Sequence, residues 1–157
     1  MPGMYYEDMI PGTVIHHDRG RTITEAENVM FCSMTMNTQP LHLNRDFVSR
    51  TEFKEPIVNG MLTMALTVGL TVPDITEGTI IANLSYENVY HPNPVFHGDT
   101  IYAETEILER RESRSRPNAG IVKLRHWGRK PDGTLAVEIT RTALFLRRTP
   151  RQEEPAE

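Results

Sequence analysis

The segment TMNTQPLHLN, residues 35–44, sets His42 two residues after a proline and five after Asn37. An imidazole there can take up and return a proton near neutral pH. The amide of Asn37 cannot accept that proton, but it can orient a water or a carbonyl. Each residue also has a plainer reading. Six histidines are present, and most of them must be surface or structural groups. Asn tolerates the left-handed backbone that ends a helix, so Asn37 could be a C-terminal cap. The second candidate is Asn59-Gly60 in EPIVNGML. If a helix starts there, its first N–H groups lack intrahelical partners and carry partial positive charge. Glycine lets a ligand approach that backbone closely, so Asn59, Gly60 and the adjoining Met61 outline a place for a carbonyl oxygen. Plain capping is the competing account. The third candidate is the arginine run of RRESRSRPNAG, with Arg110, Arg111, Arg114 and Arg116. Such a cluster suits phosphate or carboxylate, or it is a solvated hairpin tip.

These groups need elements to place them. Thr24-Glu25-Ala26-Glu27 fits a capping box and predicts a helix over 25–36, ended by Asn37 and Pro40. This leaves His42 in a loop between helices, and Asn44 caps a short helix over 45–50. A third helix starts after Asn59 and closes at Pro73. It is apolar in nearly every direction, from Met61 through Leu70, which predicts burial on all sides. Strands follow over 79–90, 98–111, 120–130 and 134–147. Ile101, Ala103, Thr105 and Ile107 alternate with Tyr102, Glu104 and Glu106, the period of a half-buried antiparallel strand. Thr13–His17 adds a short edge strand. Helices followed by antiparallel strands give an α+β class: one curved antiparallel sheet wrapped around a buried central helix, the hot-dog architecture. Residues 1–148 form one domain on this reading, and 149–157 a disordered tail.

Composition narrows the function classes. The chain has 157 residues and a net charge of −4, which gives no basic face for nucleic acid. The longest apolar run, Met61–Val72, is too short for a membrane span, which takes about 20 residues. Cys32 is the single cysteine and lies in an apolar run, so it reads as core, and a reducing cytoplasm is expected. His16, His17, His91, His97 and His126 have no acid at useful sequence spacing and are assigned no chemistry. No metal-ligand cluster, glycine-rich phosphate loop or nucleophile elbow is present.

Three segments in order carry a resemblance. NTQPLH at 37–42 resembles a pattern Asp-x-Asn-Pro-Leu-His. PIVNGML at 56–62 resembles Pro-Ile-Val-His-Gly-Met-Leu. PVFHGDTIYAETEI at 94–107 resembles Pro-Val-x-x-Gly-Asp followed by an alternating strand. The chain is similar over residues 5–148 to the MaoC-like dehydratase family, the (R)-specific enoyl-CoA hydratases of hot-dog fold. The resemblance implies addition or removal of water across the 2,3 double bond of an enoyl-CoA. His42 and Gly60 match directly, as proton-transfer group and thioester-oxygen donor. Asn37 stands where the family has its acid, Asn59 where it has a histidine, and Val68 where it often has a serine. The runs TMNTxPxH and RESRSRP further resemble a subgroup associated with mesaconyl-CoA or itaconyl-CoA. On that analogy Arg114 and Arg116 meet CoA phosphates or a substrate carboxylate. The resemblance implies no cofactor beyond the CoA of the substrate, and a homodimer or larger homo-oligomer. A hot-dog acyl-CoA thioesterase and a non-catalytic acyl-CoA-binding protein are the alternatives.

Overall fold

In the computed structural model, which describes residues 3–149, the four long predicted strands form within one or two residues of their expected limits. The elements are β1 Val14–Thr22, α1 Glu25–Met34, α2 Pro40–Leu43, α3 Arg45–Ser49, α4 Gly60–Leu70, β2 Ile80–Tyr90, β3 Thr100–Glu112, β4 Ala119–Arg129 and β5 Leu135–Leu146. The sheet is antiparallel in the order β1-β3-β4-β5-β2. It curves around α4, which gives the hot-dog architecture expected from the pattern. Most of the predicted tail, residues 150–157, lies outside the described residues.

Three local expectations are corrected. The first strand runs to Thr22, well past His17, because a register shift between His16 and Gly20 carries its polar stretch along β3. A side chain at Gly20 would collide with the Tyr102 ring, 2.6 Å from its Cβ position. Pro73 does not close α4. It sits inside a π-helical turn, Val72–Thr76, which follows Leu70. And α4 is not buried on all sides. Its sheet-facing residues are Thr63, Met64 and Thr67, while Met61 is 60% exposed and Ala65 is open to solvent.

The buried threonines explain how a helix so close to a sheet stays satisfied. Thr67 Oγ1 donates to the Thr63 carbonyl at 2.9 Å and Thr71 Oγ1 to that of Val68 at 2.8 Å. Both hydroxyls therefore bond within their own helix. Gly128 of β4 makes the approach possible, since a Cβ there would lie 2.4 Å from Thr67 Oγ1.

Apolar clusters fill the two ends of the curved sheet. Met9, Ile75, Ile107, Leu124 and Phe145 pack at one end; Ile101, Ala136, Val137 and Ile139 pack toward the other. A polar row separates them, with one residue from each strand in spatial order. His17, Thr105, His126 and Arg141 are each at most 4% exposed, and Asn83 ends the row on β2. Residues near both limits of the described chain meet beside the first cluster. Arg147 pairs with Glu7 at 3.2 Å and Arg148 with Asp8 at 2.7 Å.

Candidate active site

The site begins with the way α1 stops. Thr24 and Glu27 form the expected capping box: Thr24 Oγ1 accepts from Glu27 N–H, and Glu27 accepts from Thr24 N–H at 2.8 Å. The helix ends in a Schellman motif. Met36, not Asn37, takes the left-handed conformation, with φ 57°. Asn37 N–H then donates to the Cys32 carbonyl at 2.9 Å and Met36 N–H to that of Ser33. Cys32 is buried, as expected. Asn37 Oδ1 accepts from Gln39 N–H at 3.1 Å, a turn that delivers Pro40 to the first position of α2. His42 is thus on a single helical turn rather than in an open loop.

That turn fixes the His42 ring. Its Nδ1 lies 2.9 Å from the Ile57 carbonyl, an oxygen that can only accept, so Nδ1 carries the proton. Nε2 is left with its lone pair and has no hydrogen-bond partner among the described residues. The same stretch is anchored from behind by Asn28, which is fully buried. Asn28 Nδ2 donates toward the carbonyls of His42 and Ile57 at 3.4 and 3.3 Å and to His97 Nε2 at 3.0 Å. Its Oδ1 accepts from Asn59 N–H at 2.9 Å. One amide therefore ties together the histidine turn, the carbonyl that orients the histidine, and the start of α4. Nothing in the local pattern around Asn28 distinguishes it from a surface helix residue. Its role depends on partners 14 to 69 residues away.

Asn59 caps α4 as its position suggested, with Oδ1 accepting from Met61 N–H at 2.9 Å. Its side chain is turned inward, Nδ2 lying 3.8 Å from Cys32 Sγ. Gly60 is the first helical residue, so its N–H has no intrahelical acceptor. The cap takes the Met61 N–H and leaves that of Gly60 facing outward.

His42 and Gly60 meet at one cavity of about 430 Å³, whose walls include Ile57, Thr63, Pro94 and Ala136, a size suited to a small organic ligand. His91 also lines it. No local spacing singles it out, because it approaches from the C-terminal end of β2. Partial desolvation against the cavity wall holds the His91 imidazole below its ordinary range of basicity, although the residue is exposed overall. Asn37, Asn59 and Met61 are not in the cavity wall, and no carboxylate is. Asp46, Glu52 and Glu55, the acids nearest in sequence, are exposed. The PVFHGD segment proves structural. Gly98 has φ +92°, Asp99 accepts from Phe96 N–H at 2.8 Å, and Val58 N–H donates to Val95, holding one cavity wall.

Arg114 and Arg116 are exposed at the β3–β4 hairpin. The cavity lies at the opposite end of the sheet, beside Tyr90 and Leu135. At about 3.3 Å per residue, the 13 residues of β3 separate the two by about 40 Å. Arg110 is structural, donating to the carbonyls of Tyr6 and Glu7.

A curved sheet around a helix whose open N-terminus meets a histidine at one cleft defines a hot-dog domain. The chain belongs to the MaoC-like domain family, whose model matches residues 8–128. It is 27% identical over 154 residues to the mesaconyl-CoA hydratase of Cereibacter sphaeroides, covering 98% of this chain and 44% of that one. It is 34% identical over 90 residues to the (R)-specific enoyl-CoA hydratase of Aeromonas caviae, covering 57% of this chain and 65% of the relative. A solved structure of a monoamine oxidase regulatory protein from Archaeoglobus fulgius superposes with a TM-score of 0.83 at 28% identity. It covers 96% of this chain and 98% of that chain. The chain thus spans less than half the length of the mesaconyl-CoA hydratase that it matches.

Proposed function

We propose that the chain is an acyl-CoA hydratase, adding or removing water across the 2,3 double bond of a short enoyl-CoA. One observation carries this reading. His42 is locked with Nδ1 protonated and Nε2 free, in the same cavity as the uncapped N–H of Gly60. That N–H polarises the thioester carbonyl and holds the enolate-like oxygen. Nε2 of His42 takes a proton from water as its oxygen bonds to C3, and the resulting imidazolium returns a proton to C2. A single base serves both transfers when water adds to one face. Asn37, with Oδ1 on Gln39 N–H and its side chain outside the cavity wall, holds the turn that carries His42. The chemistry needs nothing beyond the CoA that the substrate carries.

The relatives named mesaconyl-CoA hydratase and (R)-specific enoyl-CoA hydratase support this reading, and the former favours a branched or dicarboxylic acyl group. A thioesterase using the same helix start is disfavoured, because no carboxylate base lines the cavity.

The protein works as a homodimer on this reading. The edge strand β2 exposes Leu84, Tyr86 and Tyr90, and α4 exposes Met61. Two β2 edges related by a two-fold axis run antiparallel. Such pairing turns the hairpin end of each sheet toward the cavity end of its partner's sheet. Arg111, Arg114 and Ser113 line a depression at that hairpin, suited to CoA phosphates. Among the described residues no helix is long and apolar enough to cross a membrane, and a cytoplasmic location is our reading of the single buried cysteine.

The test is a spectrophotometric screen with crotonyl-, mesaconyl- and itaconyl-CoA, run beside a free-thiol assay. Loss of enoyl-thioester absorbance without thiol release is expected. Thiol release would point to a thioesterase, and tight binding without turnover to an acyl-CoA-binding protein.

A further inference from the structure

His91 stands against the helix start in a way the mechanism above leaves unused. Its ring edge faces Gly60: a Cβ on that glycine would lie 3.2 Å from both Cε1 and Nε2 of His91. Neither ring nitrogen has a hydrogen-bond partner among the described residues. His91 opens the segment HPNP after β2, and Asn93 Nδ2 pins that segment by donating to the Leu135 carbonyl at 3.0 Å. An unpaired donor fixed beside an unpaired backbone N–H, in one cavity, has the makings of a two-donor oxyanion site.

We propose that His91 is a second donor to the thioester oxygen, its Nε2–H acting together with the N–H of Gly60. This deepens the hydratase reading and rests on it. An oxygen bound about 2.9 Å from the Gly60 nitrogen would share the cavity with the His91 ring edge, which lies 3.2 Å from the Gly60 Cβ position. The imidazole works in its neutral form, since partial desolvation and the positive end of α4 both disfavour a second charge there. A neutral imidazole donates a hydrogen bond but gives up no proton. The proton balance is therefore unchanged. Water loses a proton to His42 Nε2 while its oxygen bonds to C3. The C2–C3 π pair moves into the enolate, whose oxygen both donors hold, and His42 then protonates C2. Gly60 is required twice over, to expose its N–H and to leave room for the ring.

The test compares His91→Ala and His91→Gln with the wild type, the second variant restoring an amide N–H. Hydration kinetics are measured on the enoyl-CoA that the wild type turns over best. In parallel, acetoacetyl-CoA is bound and its enolate fraction read from ultraviolet absorbance, a direct report on oxyanion stabilisation. Expected for His91→Ala is a fall in kcat of about 10²–10³, with KM changed less than about threefold and at least a tenfold loss of bound enolate. His91→Gln should recover at least tenfold of both. A kcat loss under tenfold, a loss carried by KM alone, or no recovery in His91→Gln would overturn the proposal. If the wild type hydrates no enoyl-CoA, the hydratase reading fails, and the enolate measurement still decides whether His91 is an oxyanion donor.

Discussion

His42 and His91 face the cavity with at least one ring nitrogen unspent, whereas His17 and His126 of the polar row use both of theirs. Arg141 Nε donates to His126 Nε2 at 2.8 Å, and arginine can only donate. His126 Nδ1 must then carry the proton and give it to Thr105 Oγ1, 2.7 Å away. The Thr105 hydroxyl in turn donates to His17 Nε2 at 2.9 Å, and His17 Nδ1–H to Asp74 at 2.6 Å. The chain of donors runs one way, from a buried guanidinium to a half-exposed carboxylate. Each group has one allowed proton position, so the row is rigid wiring with no proton to spare. His17 has an acid partner that sequence spacing does not reveal, since Asp74 is 57 residues away. Whether a histidine does chemistry here depends on what its second nitrogen touches.

The contrast can be broken from either side. His42→Ala should lower kcat by about 10³–10⁴, because one base handles both proton transfers, while acyl-CoA binding and thermal stability stay near wild type. Steady-state kinetics beside calorimetry check this; wild-type turnover would remove His42 from the mechanism. Thr105→Val should show the reverse, costing about 2–4 kcal/mol of stability by leaving His126 and His17 each unpaired, with kcat little changed. Chemical denaturation measures it, and an undiminished midpoint would mean that the row is not wired as described.

The row also sets a pH dependence. Burial, Arg141 and His17 hold His126 well below its ordinary pKa of 6.5. The unfolded chain therefore takes up a proton near pH 6.5 that the folded chain refuses. Stability attributable to His126 is complete above that pH and falls as pH drops below it, by up to about 1.4 kcal/mol per pH unit until the folded value is reached. His91 adds to the same slope, since its pKa is also depressed. His126→Gln keeps an acceptor for Arg141 and a donor for Thr105 without titrating. It should flatten the fall between pH 6.5 and 5, measured as denaturation midpoints. The smallest effect is expected at Asn37→Asp. Its side chain stays occupied by Gln39 N–H and lies outside the cavity wall, so kcat should change by less than about tenfold. A large gain would show that the loop delivers this position to the reacting water.

Strands β3 and β4 were legible because they bury alternate residues, and burial on one face is what a period of two records, whereas β5 buries consecutive residues and was legible from its apolar run. The start of α4 was legible because Asn59 and Gly60 satisfy a local rule. The helix expected over 25–36 ends two residues early, at Met34, because Met36 rather than Asn37 takes the left-handed backbone that Asn is usually chosen for. Burial of α4 was misjudged for a different reason. Its apolar residues partly face outward, and threonines with self-satisfied hydroxyls face the sheet. Within the site, His42 and Gly60 followed from their segments, whereas Asn28 and His91 did not. Their importance lies in contacts made across the fold, such as the His91 ring on Gly60, which no local spacing encodes.

The ion pairs that clasp residues 7 and 8 to 147 and 148 have a consequence for engineering. Because the two ends of the described chain lie side by side, a short flexible linker can join them without crossing the sheet. New termini can then open at the Pro131-Asp132-Gly133 turn, whose Gly133 has φ +87° and open space around it. Such a circular permutant should keep all five strands and their order.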